Sequence, residues 1–512
     1  MSPVRGAASV GFGLAPAREA RAIRPGERIH VVGAAGAGAS AAVILAAGEG
    51  ALVSGCDTEP HSSYTPAIEA LGISLAGGHD PTHVTDQPPP DRLAVTKALT
   101  AIDPHNAELE AARAAAIPIE PWQQVIADAA AARTLVGVAG THGKSTTSGW
   151  LVHVLVEAGL DPSAFVGALL PASITGGIPS TARRGAGRPF VVEADEYAGN
   201  FDAYRPGVAV LTTAEWDHPD VFQDRDAVVG AFAAWLEAAR RSVAEPILVA
   251  NLGDEGVVGV VSRIRREGWR GRLVGVGAAA AVRAAGGRRA DFAEAIIGRV
   301  TATDPDGTTL EIEGGAFSTP MTARLRLAGR HNAANALAVV GAALALGASP
   351  RAVVGGLESF EGVGRRLERK GEGRGVVVYD DYGHHPTAIR ETLAAIRQRE
   401  PGKRIWAVYE PLTYHRTAAM LDQFAEVLAG ADAVAVADIW AGRDPDTTIA
   451  SAAALADAVA RRNPLIPSAA PGSVEETAAW LAGQVRSGDA VLVMGGGRSY
   501  RIAELLVEAL RR

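Results

Sequence analysis

The sequence predicts an α/β chain divided into three units, and three observations predict it. At 512 residues the chain exceeds what a single hydrophobic core serves, and about three domains fit its length. Short apolar runs rich in valine and alanine alternate with helical stretches, the pattern of parallel sheets joined by crossover helices. Glycines and polar residues gather where those runs end, at the carboxyl edges where open α/β sheets bind ligands.

Residues 1–27 hold scattered arginines and small residues without an apolar core, so they are no secretory signal and are expected to be a poorly ordered extension. The first unit is expected over 28–132. A strand at 28–32 runs into the loop Gly33 to Ser40, then a helix to Ala47, then a strand at 51–54 that ends at Gly55, Cys56 and Asp57. Strand, glycine loop, helix, strand and acid make half of a Rossmann-like unit. Asp57 stands about 20 residues past the loop, the place of a ribose-binding carboxylate. Gly33, Gly36, Gly38 and Ser40 would then line a diphosphate. The pattern suits NAD and a UDP-sugar equally, and an ordinary glycine-rich turn packed on its sheet would also produce it. A strand at 92–96 and helices at 106–115 and 122–131 complete the unit.

The central unit, 133–350, opens on Leu135, Val136, Val138 and Ala139 as a buried strand. Gly140, Thr141, His142 and Gly143 form a tight loop, and Lys144, Ser145 and Thr146 open a helix to about Glu157, with Gly159 as its C-cap. A strand turning sharply into a helix N-terminus aims several N–H groups at one point, where the helix dipole favours an anion. Lys144 adds a charge for the β- and γ-phosphates, and Ser145 a hydroxyl for Mg²⁺. The loop is two residues shorter than the general P-loop, because Val138 stands where the first glycine would be. This is a nucleotide site. Two more strands end in hard ligands: 189–192 leads into Glu193, Ala194, Asp195 and Glu196, and 208–213 into Glu215, Trp216, Asp217 and His218. Such groups beside a P-loop suit Mg²⁺ shared with phosphates. An alanine- and glycine-rich stretch at 278–287 precedes antiparallel-looking strands at 308–312 and 319–327. Gly329 to Asn335 then enters a helix to about 346. His331, Asn332 and Asn335 exceed what capping needs, although Asn332 alone would serve as a cap.

The third unit, 351–512, has its hinge at 361–366 and strands at 376–380, 404–409, 433–438 and 490–494. The first ends in Asp381, Tyr382, Gly383, His384 and His385, the second in Glu410 to Thr417. Alternating helices make it a second Rossmann-like parallel sheet. The net charge of −8, with both signs interspersed, argues against a nucleic-acid surface, and no apolar run is long enough to insert in a membrane. Cys56 is the only cysteine, which excludes an intrachain disulfide and a cysteine-based metal cluster. The cytoplasm is the expected compartment.

With these motifs in this order, the chain from Arg28 onward resembles the Mur ligase family. The shortened P-loop Gly140–Thr147 carries Ser145 where that family has threonine. Glu193 to Glu196, Trp216 to His218, Gly329 to Asn332 with Asn335, Gly364 to Arg366, and Asp380 to Pro386 match its other motifs. The run 438–443 is similar to a stretch of the members that add L-alanine. The resemblance implies a Rossmann-like domain for the UDP-sugar, a central P-loop ATPase-type domain for ATP, and a C-terminal Rossmann-like domain for the amino acid. It implies ATP and Mg²⁺ as cofactors and UDP-N-acetylmuramate and L-alanine as substrates, joined through an acyl phosphate. Lys144, Glu193, His218 and His384 would carry the chemistry. Ser145 and Glu193 would hold one Mg²⁺ and His218 a second. His331, Asn332, Asn335, Arg366 and Asp381 would join the P-loop in holding ATP, and Tyr382, His384 and Arg416 would face the amino acid. Ala35, Glu410 and Leu412 depart from the pattern, standing for a glycine, a glutamine and a histidine. Glu196-Tyr197 and Glu410-Pro411 are similar to a branch that attaches a recycled tripeptide instead. Two readings from other classes are a nicotinamide oxidoreductase, which would not need the P-loop, and a non-catalytic UDP-sugar-binding paralogue, against which Lys144, Ser145, Glu193 and His218 stand.

Overall fold

The computed structural model describes residues 10–285, 293–442, 444 and 446–512. Expectations for residues 1–9, for the end of the alanine- and glycine-rich stretch and for Arg443 lie outside them.

The first unit is a five-stranded, wholly parallel sheet in the order Ala76–Gly77, Leu52–Asp57, Arg28–Val32, Arg92–Val95, Ile119–Pro121. Its central strands Arg28–Val32 and Arg92–Val95 are almost wholly buried, as in a parallel sheet with helices on its faces. Residues 10–26 correct the expectation of a poorly ordered extension. They are irregular but packed: Val10 and Ile23 are buried, and Arg18 meets Glu120 at 2.7 Å and Asp128 at 2.8 Å. The reason is electrostatic. Glu27, Glu120 and Asp128 are buried around Arg92, and one guanidinium does not neutralise three carboxylates. Arg18, and Arg21 on Glu27 at 2.5 Å, bring the missing positive charge.

The central sheet has ten strands in the order Phe317–Leu325, Gly307–Gly314, Glu294–Asp304, Arg272–Gly277, Ile247–Asn251, Val208–Leu211, Thr134–Ala139, Pro189–Ala194, Ser163–Leu170, Ser180–Arg183. Its middle is parallel, and its two ends carry the antiparallel pairs. The helices Lys144–Glu157 and Arg330–Ala345 pack together on one face. On the other, the apolar core runs unbroken into the first unit, where the helix Ala37–Gly48 packs on Ser180–Arg183. Helix Pro350–Ser359 also lies on Lys144–Glu157 and on Phe317–Leu325, burying Val353 and Leu357 there. The central unit therefore extends to Phe360, beyond the division expected at 350.

The last unit is a six-stranded sheet in the order Glu368–Gly373, Val376–Asp381, Asp489–Gly495, Arg404–Glu410, Ala433–Ala437, Ser468–Gly472, antiparallel only at its first pair. Among the described residues no helix is long and apolar enough to cross a membrane.

Candidate active site

The P-loop leaves Thr134–Ala139 and enters Lys144–Glu157 through two glycines at positive φ, Gly140 at 139° and Gly143 at 82°. Neither position has room for a side chain. A Cβ on Gly140 would fall 2.1 Å from Thr212 Oγ1, and one on Gly143 would fall 2.6 Å from Asn335 Oδ1. The second contact puts Asn335, nearly two hundred residues away in sequence, against the loop. Asn335 donates to Asn332 Oδ1 at 3.2 Å, and Asn332 donates to Ala328 O at 2.7 Å. Thr141 and His142 are strapped to the neighbouring strand end: Thr141 Oγ1 donates to Glu215 O at 3.0 Å, and His142 N to Thr213 Oγ1 at 2.8 Å. Thr146 is buried in the first helical turn.

Lys144 Nζ donates to Gly140 O at 2.7 Å and to Glu196 Oε2 at 2.8 Å, with Asp195 Oδ1 at 3.6 Å. Burial pulls the pKa of this ammonium down, but the carboxylates of Glu196 and Asp195 outweigh it and hold the lysine charged. Ser145 Oγ donates to Glu193 Oε1 at 2.9 Å and accepts from Arg366 Nη2 at 2.8 Å, while Glu193 Oε2 accepts from Gly167 N at 2.6 Å. Arg366 thus reaches the P-loop from the hinge into the last unit, where Arg365 and Leu367 both adopt positive φ. Ser145 and Glu193 form one group of hard oxygen donors. His218 belongs to a second group, with one ligand atom each of Asp195, Glu196 and His218 within 4.8 Å of one another. A third group, His142, Glu215 and His385, bridges the central and last units. There His142 lies on His385 with ring centroids 4.6 Å apart and meets Glu215 at 3.1 Å.

Several expected site residues are otherwise engaged. Both Asp381 oxygens serve the chain itself, one accepting from Leu367 N at 2.8 Å and the other from Gly383 N at 2.7 Å. Arg416 Nη2 lies 2.7 Å from Asp217 Oδ1 and 3.1 Å from His218 Nδ1, while its buried Nε has no hydrogen-bond partner. His331 is turned toward Glu391 of the last unit at 3.5 Å. Tyr382 stacks between Arg365 and Arg366, whose guanidinium carbons lie 4.9 and 5.0 Å from its ring centroid. In the first unit Gly33 takes positive φ, Gly36 caps the helix, and Gly38 leaves the space that the Trp122 ring fills. Asp57 accepts from Ala35 N at 3.0 Å, so it shapes the glycine loop directly. Ser40 is fully buried, and its hydroxyl lies 3.1 Å from that of Thr181 in the central sheet.

The sequence marked Glu196, Glu215 and Asp217 as part of two acidic strand ends and His142 as part of the P-loop, but not the pairs Glu196–Lys144 and Asp217–Arg416 or the His142–Glu215–His385 group. A strand end shows that a carboxylate is present but not which partner it meets.

His384 Nδ1 lies 2.9 Å from the carbonyl of Tyr382. A carbonyl only accepts, so Nδ1 carries the proton and Nε2 keeps its lone pair. Burial first, and then the charge of Arg416, push the pKa of this imidazole well below its ordinary value, so it is a neutral proton acceptor.

A phosphate-binding turn with an adjacent oxygen-donor group, set between two Rossmann-like sheets, defines a nucleotide-using α/β enzyme of three domains. The comparisons give it a family. Residues 28–134 match the model of the Mur ligase family catalytic domain, 138–343 the Mur ligase middle domain, and 365–497 the Mur ligase glutamate ligase domain. The chain is 39% identical over 476 residues to the UDP-N-acetylmuramate–L-alanine ligase of Kineococcus radiotolerans, covering 92% of this chain and 93% of that one. It is 36% identical to the enzyme of the same name from Mycobacterium sp. strain JLS, covering 94% and 95%. Among solved structures it is similar to the UDP-N-acetylmuramate–alanine ligase of Thermotoga maritima, with a TM-score of 0.73 at 23% identity over 94% of this chain and 98% of that one. It is also similar to a murein peptide ligase of Psychrobacter arcticus, with a TM-score of 0.69 at 22% identity over 95% and 99%. The chain belongs to the Mur ligase family and is an ATP-dependent ligase.

Proposed function

We propose that this ligase joins L-alanine to the lactyl carboxylate of UDP-N-acetylmuramate, with ATP as the energy source, in the cytoplasm. The observation that carries the reading is the end-to-end match to relatives of that name, over more than nine-tenths of both chains. The gathering of Lys144, Ser145 and Glu193 at one P-loop supports it. The tripeptide-recycling reading is not favoured: the short likenesses at Glu196-Tyr197 and Glu410-Pro411 and a likeness of fold stand against the end-to-end match to L-alanine ligases.

A carboxylate at neutral pH is a poor electrophile, so it needs a leaving group. One carboxylate oxygen attacks the γ-phosphorus of ATP and ADP departs, leaving an acyl phosphate. The amine of alanine then attacks the acyl carbon, and inorganic phosphate departs with the bonding electrons. In the first step Lys144 neutralises charge on the transferring phosphoryl, and the P-loop N–H groups orient it. Mg²⁺ fits the hard donors Ser145 Oγ and Glu193, with His218, Asp195 and Glu196 as a second set, and when bound it supplies charge neutralisation on the phosphates. In the second step the ammonium must lose protons, and the free Nε2 of a neutral His384 is suited to take one. Arg366, reaching Ser145 from the hinge, and His331, facing Glu391, join the central and last units around the P-loop, which supports their assignment to ATP.

Orthophosphate release tests the reading. It should require ATP, a divalent cation, UDP-N-acetylmuramate and L-alanine together. Release driven by the tripeptide and not by L-alanine would overturn it.

A further inference from the structure

Away from the P-loop, the first unit contains a second cluster of ligating side chains that the ligase chemistry does not use. His30 comes from strand Arg28–Val32, Cys56 from strand Leu52–Asp57, His83 from the short helix Thr82–Thr85, and Glu108 from the first turn of Ala107–Ala114. One ligand atom from each lies within 4.8 Å of all the others. Glu108 Oε1 is 2.8 Å from His30 Nε2 and 3.2 Å from His83 Nδ1, and Glu108 Oε2 is 3.3 Å from Cys56 Sγ. The edges of a tetrahedron built on Zn–N, Zn–O and Zn–S bonds of ~2.0–2.3 Å are roughly 3.3–3.8 Å, against 2.8, 3.2 and 3.6 Å from Glu108 Oε1 to His30, His83 and Cys56 and at most 4.8 Å among the rest.

Three further observations point to a ligand. His30 Nε2 is buried and, despite the short approach to Glu108, lacks the alignment of a hydrogen bond, so this nitrogen is aimed into the cluster without a satisfied partner. Its other nitrogen, Nδ1, is fixed by Ser54 Oγ at 2.8 Å, the outer contact that orients a ligating imidazole. Glu108 is completely buried, and among the described residues its ion-pair partners are histidines, with no lysine or arginine. A buried carboxylate needs a cation beside it, which here only a protonated histidine or a bound metal ion supplies.

We propose that His30, Cys56, His83 and Glu108 bind a divalent transition-metal ion of the Zn²⁺ class as a structural site. The mixed nitrogen, sulfur and oxygen donors select such an ion over Mg²⁺ or Ca²⁺. His79 Nδ1, 3.3 Å from Cys56 Sγ, orients the sulfur from outside the four ligands. Binding displaces the thiol proton, so the metal is held as the thiolate complex. The ion would pin the carboxyl end of Leu52–Asp57 next to Asp57, which shapes the glycine loop. One cysteine thus suffices for a metal site when histidines and a buried carboxylate converge on it.

The test uses the full chain, stripped with a chelator and then loaded with Zn²⁺ or Co²⁺ and passed through a desalting column. We expect about one retained equivalent of Zn²⁺ that survives the Cys-independent control of Mg²⁺ competition. With Co²⁺ we expect a thiolate-to-cobalt charge-transfer band, which only Cys56 can supply because the chain has no other cysteine. Cys56→Ser should abolish the band. His83→Asn, at the rim of the cluster, should weaken Zn²⁺ retention roughly 10–100-fold or more. Less than a tenth of an equivalent retained by the wild type, or no thiolate band with Co²⁺, would show the cluster to be a hydrogen-bonded network around Glu108 and overturn the proposal.

Discussion

Arg416 Nη2 and Asp217 Oδ1 meet at 2.7 Å across the boundary between the central and last units, with 4% and 5% of their side chains exposed. The pair is buried on both sides, so each charge depends on the other. Arg416 also touches His218, which ties the group expected to face the amino acid to the edge of the nucleotide site.

Removing one partner of a buried pair strands the other, which typically costs about 3–5 kcal/mol. Asp217→Asn should therefore lower stability by about that amount and loosen Arg416. Thermal and denaturant unfolding, read beside the KM for L-alanine, check this. A change below about 0.5 kcal/mol would mean that Arg416 finds another acceptor.

Lys144 and Glu196 form a second such pair, 2.8 Å apart. Lys144→Ala should remove roughly 10³-fold of activity, since one charge on the transferring phosphoryl is worth several kcal/mol. It should also destabilise the fold, because Glu196 is left buried without a counter-charge. Lys144→Ala with Glu196→Gln should recover the stability and none of the activity. Near-normal turnover in either protein would remove Lys144 from the site.

What the sequence revealed and what it hid divide along a physical line. The strand before the P-loop and the helix Lys144–Glu157 follow from residues that are neighbours in the chain, and Gly159 takes the positive φ expected after that helix. Contacts between Arg416 and Asp217, or between Asn335 and Gly143, depend on how whole sheets dock, and no local pattern encodes them. The acidic run that begins in Pro189–Ala194 marked a ligand-binding edge but not its partners: Glu193 turns to Ser145 and Glu196 to Lys144. Residues 10–26 read as loose because their own composition is polar and small. Their order comes from carboxylates at Glu120 and Asp128, a hundred residues on.

Glu410 is buried, and burial pushes its carboxyl up to about 7 against the stabilising backbone N–H groups of Ser499 and Arg498. In the unfolded chain the group titrates near its ordinary value of about 4.3. Between those values the folded chain binds more protons than the unfolded one, so stability falls as pH rises through about 4.3 to 7, by about 4 kcal/mol in total, and stays low above. Glu410→Gln removes the titration. Its unfolding midpoint should be higher than the wild type's at pH 8 and nearly flat between pH 5 and 7. An unchanged slope would assign the pH dependence to other groups.

By the family resemblance Leu412 stands in place of a histidine, and its neighbourhood decides what could replace that group. His415 is held by Asp444, whose oxygens lie 3.0 Å from its Nδ1 and 2.9 Å from its backbone N. His384 spends its Nδ1 proton on Tyr382 O. Leu412 itself lies over Gly496, filling the space where that residue has no side chain, and pairs with Trp440 through a backbone bridge. It can neither donate nor accept, so a small amino acid whose only handles are charged loses one contact here. That contact would be the same in ground and transition states, which raises KM and spares kcat. Leu412→His keeps most of the volume and restores a donor. It should lower the KM for L-alanine by the worth of one hydrogen bond to a charged group, about 1.5–3 kcal/mol or roughly 10–150-fold. Steady-state kinetics at saturating ATP and UDP-N-acetylmuramate read the split directly. A KM that does not move, or activity that disappears, would make Leu412 a packing residue over Gly496 and leave alanine recognition to Arg416.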